Sequence, residues 1–119
     1  MKIYVAHSTK FNYKEDLYRP LRESEINDIA EIILPHEQSD EIFNSKQILK
    51  EMDYVVAEVS YPSTGLGIEL GWANLYNIPI ILIHKSDFTV SDSVKSIAFK
   101  ITDYSSTEDM IEKIKAIVL

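Results

Sequence analysis

Residues 53–73 read DYVVAEVSYPSTGLGIELGWA. The run begins as an apolar strand, passes through a turn of small residues, and enters a helix that carries Glu69 in what reads as its first turn. A continuous apolar strand feeding directly into a helix is the unit from which a covered parallel sheet is built. A carboxylate at that end of a helix meets the positive pole of the helix dipole, which favours its charged form. Ahead of it, Ser60, Ser63, Thr64, Gly65 and Gly67 offer hydroxyls and backbone amides, the groups that bind sugar hydroxyls or a phosphate. An anionic nucleophile beside an anion cradle is a chemical arrangement rather than a packing one.

Outward from this block, apolar runs alternate with amphipathic segments. Residues 2–6 read as a buried strand and 15–27 as a helix, with Pro20 marking a kink or a late start. Residues 30–34 form a second strand ending at Pro35, and 40–52 place Ile42, Phe43, Ile48, Leu49 and Met52 at helical spacing. Strand 54–59, helix 65–76, strand 79–83, a short helix 91–96, strand 98–101 and a closing helix 107–118 follow. Thr107 reads as the cap of that last helix, with Glu108 and Asp109 in its first turn and Lys113 and Lys115 near its end. Strands separated by helices imply right-handed crossovers. The expected fold is therefore α/β: a flavodoxin-like, Rossmann-like, doubly wound five-stranded parallel sheet of order 2-1-3-4-5. Ligands in such sheets bind beyond the carboxyl ends of the strands, at the switch point between the first and third. There the loop His7-Ser8-Thr9-Lys10 is expected to meet the loop 60–67.

At 119 residues the chain reads as one domain over 1–119, long enough for a real core. A formal charge of −7 argues against a nucleic-acid polymer as partner, since such binding draws on clustered Lys and Arg. A small phosphate in a local pocket remains compatible. The absence of cysteine removes disulfides, thiolate catalysis and Cys-based zinc sites. The opening MKIYVAHS is too short an apolar run for a signal peptide, and the longest run, 78–83, falls far below the ~20 residues that span a bilayer. The expectation is a soluble cytoplasmic protein with no membrane partner.

The candidate chemistry gathers on few residues. Tyr4, two residues before the end of the first strand, is either a core aromatic or a hydroxyl at the cleft floor that orients Glu69. Glu58 interrupts an apolar strand, so it needs a polar partner, either loop amides or the Ser8 hydroxyl, in a supporting role. Asp53, at the amino end of its strand, reads as structural. Ser8, Lys10 and Ser63 are candidate phosphate or hydroxyl ligands. His7, His36 and His84 lack metal-ligand spacing, so no metal site is expected; His36, just after the second strand, either lines the cleft edge or is a loop histidine with no site role, the reading preferred here. Gly65-Leu66-Gly67 lacks the third glycine of a dinucleotide fingerprint, and no GKS or GKT follows. Trp72 and Tyr76 share a helix face that is either core or a subunit contact, the latter implying a homodimer or higher homo-oligomer.

These residues resemble a family. KIYVAHS is similar to the first strand of the nucleoside 2-deoxyribosyltransferase superfamily, with its tyrosine. Residues 53–73 resemble its signature D-x-V-V-A-E-V-x-x-P-S-x-G-x-G-x-E-L-G-x-A, and IPIILIHK resembles the strand that follows. Within the superfamily the resemblance is to the deoxynucleoside 5′-monophosphate N-glycosidase branch. It implies Glu69 as nucleophile, Tyr4 as active-site tyrosine, and Ser8 and Ser63 on the substrate's 5′ side. Lys10 stands where the branch has an arginine, keeping the charge without the bidentate fork. Ser91 or Ser93 matches a serine that reaches the phosphate from a neighbouring subunit, Ser93 being the residue taken here. The family aspartate, eight residues before Asp53, is replaced by Ser45, unless Asp40 or Glu41 substitutes for it.

The resemblance implies cleavage or transfer of the N-glycosidic bond of a (deoxy)nucleoside or its 5′-monophosphate through a glycosyl-Glu69 intermediate, with no cofactor. The alternative is a non-catalytic module that binds a nucleotide or sugar phosphate in the same cleft. A different glycosidic enzyme on a similar fold would carry a PGGxGT-like turn, which this chain lacks.

Overall fold

The computed structural model describes residues 1–39 and 44–119. Strand β1 (Lys2–His7) lies between β2 (Glu31–Ile33) and β3 (Tyr54–Glu58) in the sheet. β4 (Ile80–Lys85) and β5 (Lys100–Tyr104) continue it on the β3 side, so the sheet is parallel throughout and ordered β2-β1-β3-β4-β5, as expected.

Alternation along β1 divides the interior in two. Ile3 and Val5 face a cluster containing Leu17, Leu21, Ile26, Met110 and Ile114, while Tyr4 and Ala6 face one containing Leu49, Leu66, Leu70 and Ala73. The first layer is covered by a π-helical turn (Lys14–Tyr18), α1 (Arg19–Arg22), α2 (Ile26–Ile29) and α6 (Thr107–Val118). The second is covered by α3 (Lys46–Leu49), α4 (Thr64–Leu75) and α5 (Asp92–Lys95). Tyr4 therefore points to the α4 side because of its parity in the strand.

Several boundaries differ from the sequence reading. The expected helix 15–27 is three short pieces, with Pro20 just inside α1, where its missing N–H costs no helical bond. The fifth strand starts at Lys100 rather than 98, because this edge strand carries Lys100, Thr102 and Asp103 outward and shows little apolar pattern. Ser106, not Thr107, caps α6: its hydroxyl accepts the Asp109 N–H at 3.0 Å. The helix expected over 40–52 is described only as α3, and Asp40, Glu41, Ile42 and Phe43 lie outside the described residues.

α4 is closed at both ends by local chemistry. Ser63 accepts the Leu66 N–H at 3.3 Å, and Asn77 (φ 58°) ends the helix in a Schellman turn, with Ile78 N–H on the Ala73 carbonyl at 3.0 Å. In this frame Glu69 is the sixth residue of α4, not a first-turn residue. The dipole contribution expected for it is corrected accordingly, because that effect falls off within the first turn. Among the described residues, no helix is long and apolar enough to cross a membrane.

Candidate active site

The β1–β3 register pairs Tyr4 with Val55 and His7 with Glu58, so the two strands end level and their loops leave side by side. The loops do meet. Lys10 Nζ donates to the Pro62 carbonyl at 2.8 Å, and Phe11 stacks on Tyr61 with centroids 5.0 Å apart. Beside this junction, at the carboxyl ends of the strands, lies a cleft of about 280 Å³. Its polar lining is Tyr4, His36, Ser45 and Glu69; Gly65, Pro35, Ile68 and Trp72 complete the walls. A few converging polar groups in an apolar hollow make a small-molecule site. Two larger hollows, of about 540 and 520 Å³, lie elsewhere on the surface. The first lies between surface glutamates and the ion-paired Arg19, the second beside the self-capped start of α6. Neither presents a carboxylate held by buried hydroxyls.

Glu69 is the centre of the cleft. The buried Tyr4 hydroxyl donates to its Oε2, and Ser45 Oγ donates to the same oxygen at 2.5 Å. The Tyr4 hydroxyl is pushed well above the ordinary tyrosine range, first by burial and then by the Glu69 charge. It stays protonated and can only serve as a donor to the carboxylate.

A second network underlies the loops. Glu58, fully buried, accepts the Ser60 N–H at 2.5 Å, the Ser60 hydroxyl at 3.0 Å and the Tyr104 hydroxyl. Of the two partners expected for Glu58, the structure provides the loop amide and not Ser8, whose Oγ instead accepts the Lys10 N–H at 3.1 Å. Burial and the Glu58 contact raise the Tyr104 hydroxyl above its usual range. His7 is locked in one tautomer. Its Nδ1–H donates to the Ser8 carbonyl at 2.8 Å, leaving Nε2 to accept the Tyr18 hydroxyl at 2.6 Å. The Tyr18 oxygen in turn takes the His36 N–H at 3.0 Å. Burial lowers the His7 pKa to about 4.

Of the residues singled out in the sequence, the cleft brings together Tyr4, Glu69 and Gly65. Ser63 and Gly67 line a separate small hollow of about 180 Å³ with Ser91. Ser93 is exposed on α5, where its N–H meets the Ser91 hydroxyl at 3.3 Å. Ser8 and Lys10 stand at the loop junction. Asp53 takes the Lys2 N–H at 2.7 Å at the opposite edge of the sheet, a structural role as read. Two cleft residues were missed. Ser45 was read as the loss of a functional group, and His36 as a loop residue in preference to one lining the cleft edge, where it in fact lies. Among the described residues, His36 Nδ1 is buried without a hydrogen-bond partner. Its place directly after a strand ending in Pro35 was the only available signal.

No family model matches the chain. Three curated relatives do, each provisionally named 2′-deoxynucleoside 5′-phosphate N-hydrolase 1. The protein from Thermofilum pendens is 34% identical over 77 residues, 60% of this chain and 54% of its own length. Those from Methanosarcina mazei and Syntrophotalea carbinolica are 40% and 47% identical over 47 and 36 residues, covering 40% and 30% of this chain and 29% and 25% of theirs. The chain thus spans about half the length of the first relative and less of the other two. Among solved structures, a CMP N-glycosidase of Clostridium botulinum superposes with TM-score 0.67 at 20% identity, over 97% of this chain and 99% of that one. A conserved protein of Enterococcus faecalis gives 0.73 at 17% identity over 99% of each chain. A 2-deoxyribosyltransferase of Bacillus psychrosaccharolyticus gives 0.66 at 20% identity over 92% and 90%. The solved structures share the fold. The relatives' names support the superfamily and the 5′-phosphate N-hydrolase branch that residues 53–73 resemble.

Proposed function

We propose that the cleft cleaves the N-glycosidic bond of a deoxynucleoside, in its 5′-monophosphate form. One observation carries the reading: two hydroxyls converge on a single oxygen of Glu69 in an open cleft beyond the strand ends. Glu69 attacks C1′ from the face opposite the base. The C1′–N bond breaks as the ester bond to Glu69 forms, and the bonding pair leaves with the base. Water then adds to C1′ as the ester bond breaks, the proton it loses balancing the one the departed base gains, and Glu69 is regenerated with overall retention; a second base, losing its N–H proton in place of water, gives transfer. Tyr4 orients the carboxylate. His36 lines the cleft, and its Nδ1, buried and without a hydrogen-bond partner among the described residues, is assigned to the departing base. Pro35, Ile68 and Trp72 offer the base an apolar seat.

The 5′ end is assigned to the adjoining loop junction and helix start, where Ser8, Lys10, Ser63, Gly65 and Gly67 stand and the first amides of α4 precede its intrahelical bonds. Ser93 is kept as a phosphate contact from a second copy. The same reading includes a homodimer, supported by exposed Ile68 and Leu75 on α4 and checked by the mass in solution. Cytoplasmic residence is part of the proposal too.

A panel of nucleosides and deoxynucleosides, with and without a 5′-phosphate, is incubated with the protein and assayed for free base. Release from deoxynucleoside 5′-monophosphates is expected. Binding of these compounds without release would establish the non-catalytic module instead, a reading that the serine at position 45 favours.

A further inference from the structure

We infer that Ser45 is a positioning residue whose hydroxyl, diverted from helix capping, holds Glu69 in its reactive orientation. The inference rests on the glycosidic reading above. Ser45 occupies the N-cap of α3, the position at which serine ordinarily accepts an N–H of the first turn. Here its hydroxyl makes no cap bond. Asn44 Oδ1 lies 3.4 Å from the Lys46 N–H, and Leu49 N–H reaches the Ser45 carbonyl at 2.9 Å. The side chain is turned inward, 1% exposed, and donates to Glu69 Oε2 at 2.5 Å.

Local preference gives way here to a contact 24 residues further along the chain, and such conflicts mark functional positions. The terminal torsion of a glutamate is broad and roughly two-fold, so a single donor leaves the carboxylate free to swing. Tyr4 from β1 and Ser45 from the start of α3 grip one oxygen, and among the described residues no hydrogen bond engages the other, the one that would attack C1′. The polar groups that line the cleft with Glu69 are Tyr4, His36 from the loop after β2, and Ser45. Among the described residues none of them is a second carboxylate, so the hydroxyl orients the nucleophile without adding negative charge beside it.

The test compares Ser45→Ala and Ser45→Thr with the unaltered chain. Steady-state base release from deoxynucleoside 5′-monophosphates is measured alongside low-field proton NMR of the ligand-free protein. Ser45→Ala is expected to lower kcat about tenfold with KM held within about twofold, and Ser45→Thr to recover most of the loss. A buried hydroxyl proton resonance should vanish in Ser45→Ala and shift in Glu69→Gln. An unchanged kcat in Ser45→Ala, or a rise in KM alone, overturns the inference while leaving the glycosidic reading intact. If the unaltered protein releases no base from any compound, that reading falls. The resonance then decides for Ser45, and its insensitivity to either substitution refutes the role.

Discussion

At the scale of single residues, the site follows from strand parity. Tyr4 is fully buried, yet its hydroxyl ends on a charged oxygen because the alternate face of β1 looks toward α4. Burying that hydroxyl without a partner would cost roughly 1–3 kcal/mol, so the pairing serves the fold as well as the proposed chemistry. Tyr4→Phe removes the donor and keeps the ring. We expect kcat for base release to fall by about one to two orders of magnitude with a change of under about 1.5 kcal/mol in unfolding free energy, read by urea titration. Glu69 and Tyr4 were legible because each breaks a local pattern, a carboxylate between Ile68 and Leu70 and a hydroxyl within an apolar strand. Ser45 and His36 were not, because their meaning lies in partners and walls brought near only by the crossovers.

At the scale of elements, α4 carries most of what the sequence revealed, since its strand, turn and helix are contiguous and its cap is local. The pieces between residues 14 and 29 were less legible. Burial of Leu17, Tyr18, Leu21 and Ile26 against the sheet shapes that stretch more than helix periodicity does. β5 was misplaced because an edge strand need not bury both faces. Gly65 separates function from folding within α4. A Cβ built there meets nothing within 4 Å, and the residue lines the cleft. Gly65→Ala should therefore keep or slightly raise the melting temperature, because alanine is the better helix former. It should also weaken binding of a deoxynucleoside 5′-monophosphate by roughly tenfold, measured calorimetrically in the Glu69→Gln background. Unchanged affinity would place the substrate elsewhere.

At the scale of the molecule, two buried networks tie the strand ends to the loops that frame the cleft. Glu58 joins β3 to the Ser60 turn and to Tyr104 on β5, while Lys85 N–H reaches Ser60 Oγ at 2.8 Å from β4. On the other side, His7 joins β1 to Tyr18 and, through it, to the loop bearing His36. That second network makes stability depend on pH. His7 has a pKa near 4 in the folded chain against 6.5 for the free side chain. Between those values the unfolded chain binds the proton and the folded chain does not, so stability falls as pH drops through this window. The contribution is about 3 kcal/mol when complete and about 2 kcal/mol at pH 5. Urea unfolding at pH 7 and pH 5 should show the loss, and His7→Gln should remove it; a variant with an undiminished slope would assign the pH dependence to other groups.

The central claim is that Glu69 forms a bond to the sugar, and the adduct itself tests it most directly. A 2′-fluoro-arabino analogue of a deoxynucleoside 5′-monophosphate slows breakdown of a glycosyl ester by disfavouring oxocarbenium character at C1′. Intact-mass and peptide mass spectrometry of the protein incubated with it should show one added fluorosugar phosphate, located on Glu69 and missing from Glu69→Gln. Release of base with no adduct, from a Glu69→Gln variant as active as the unaltered chain, would contradict the account.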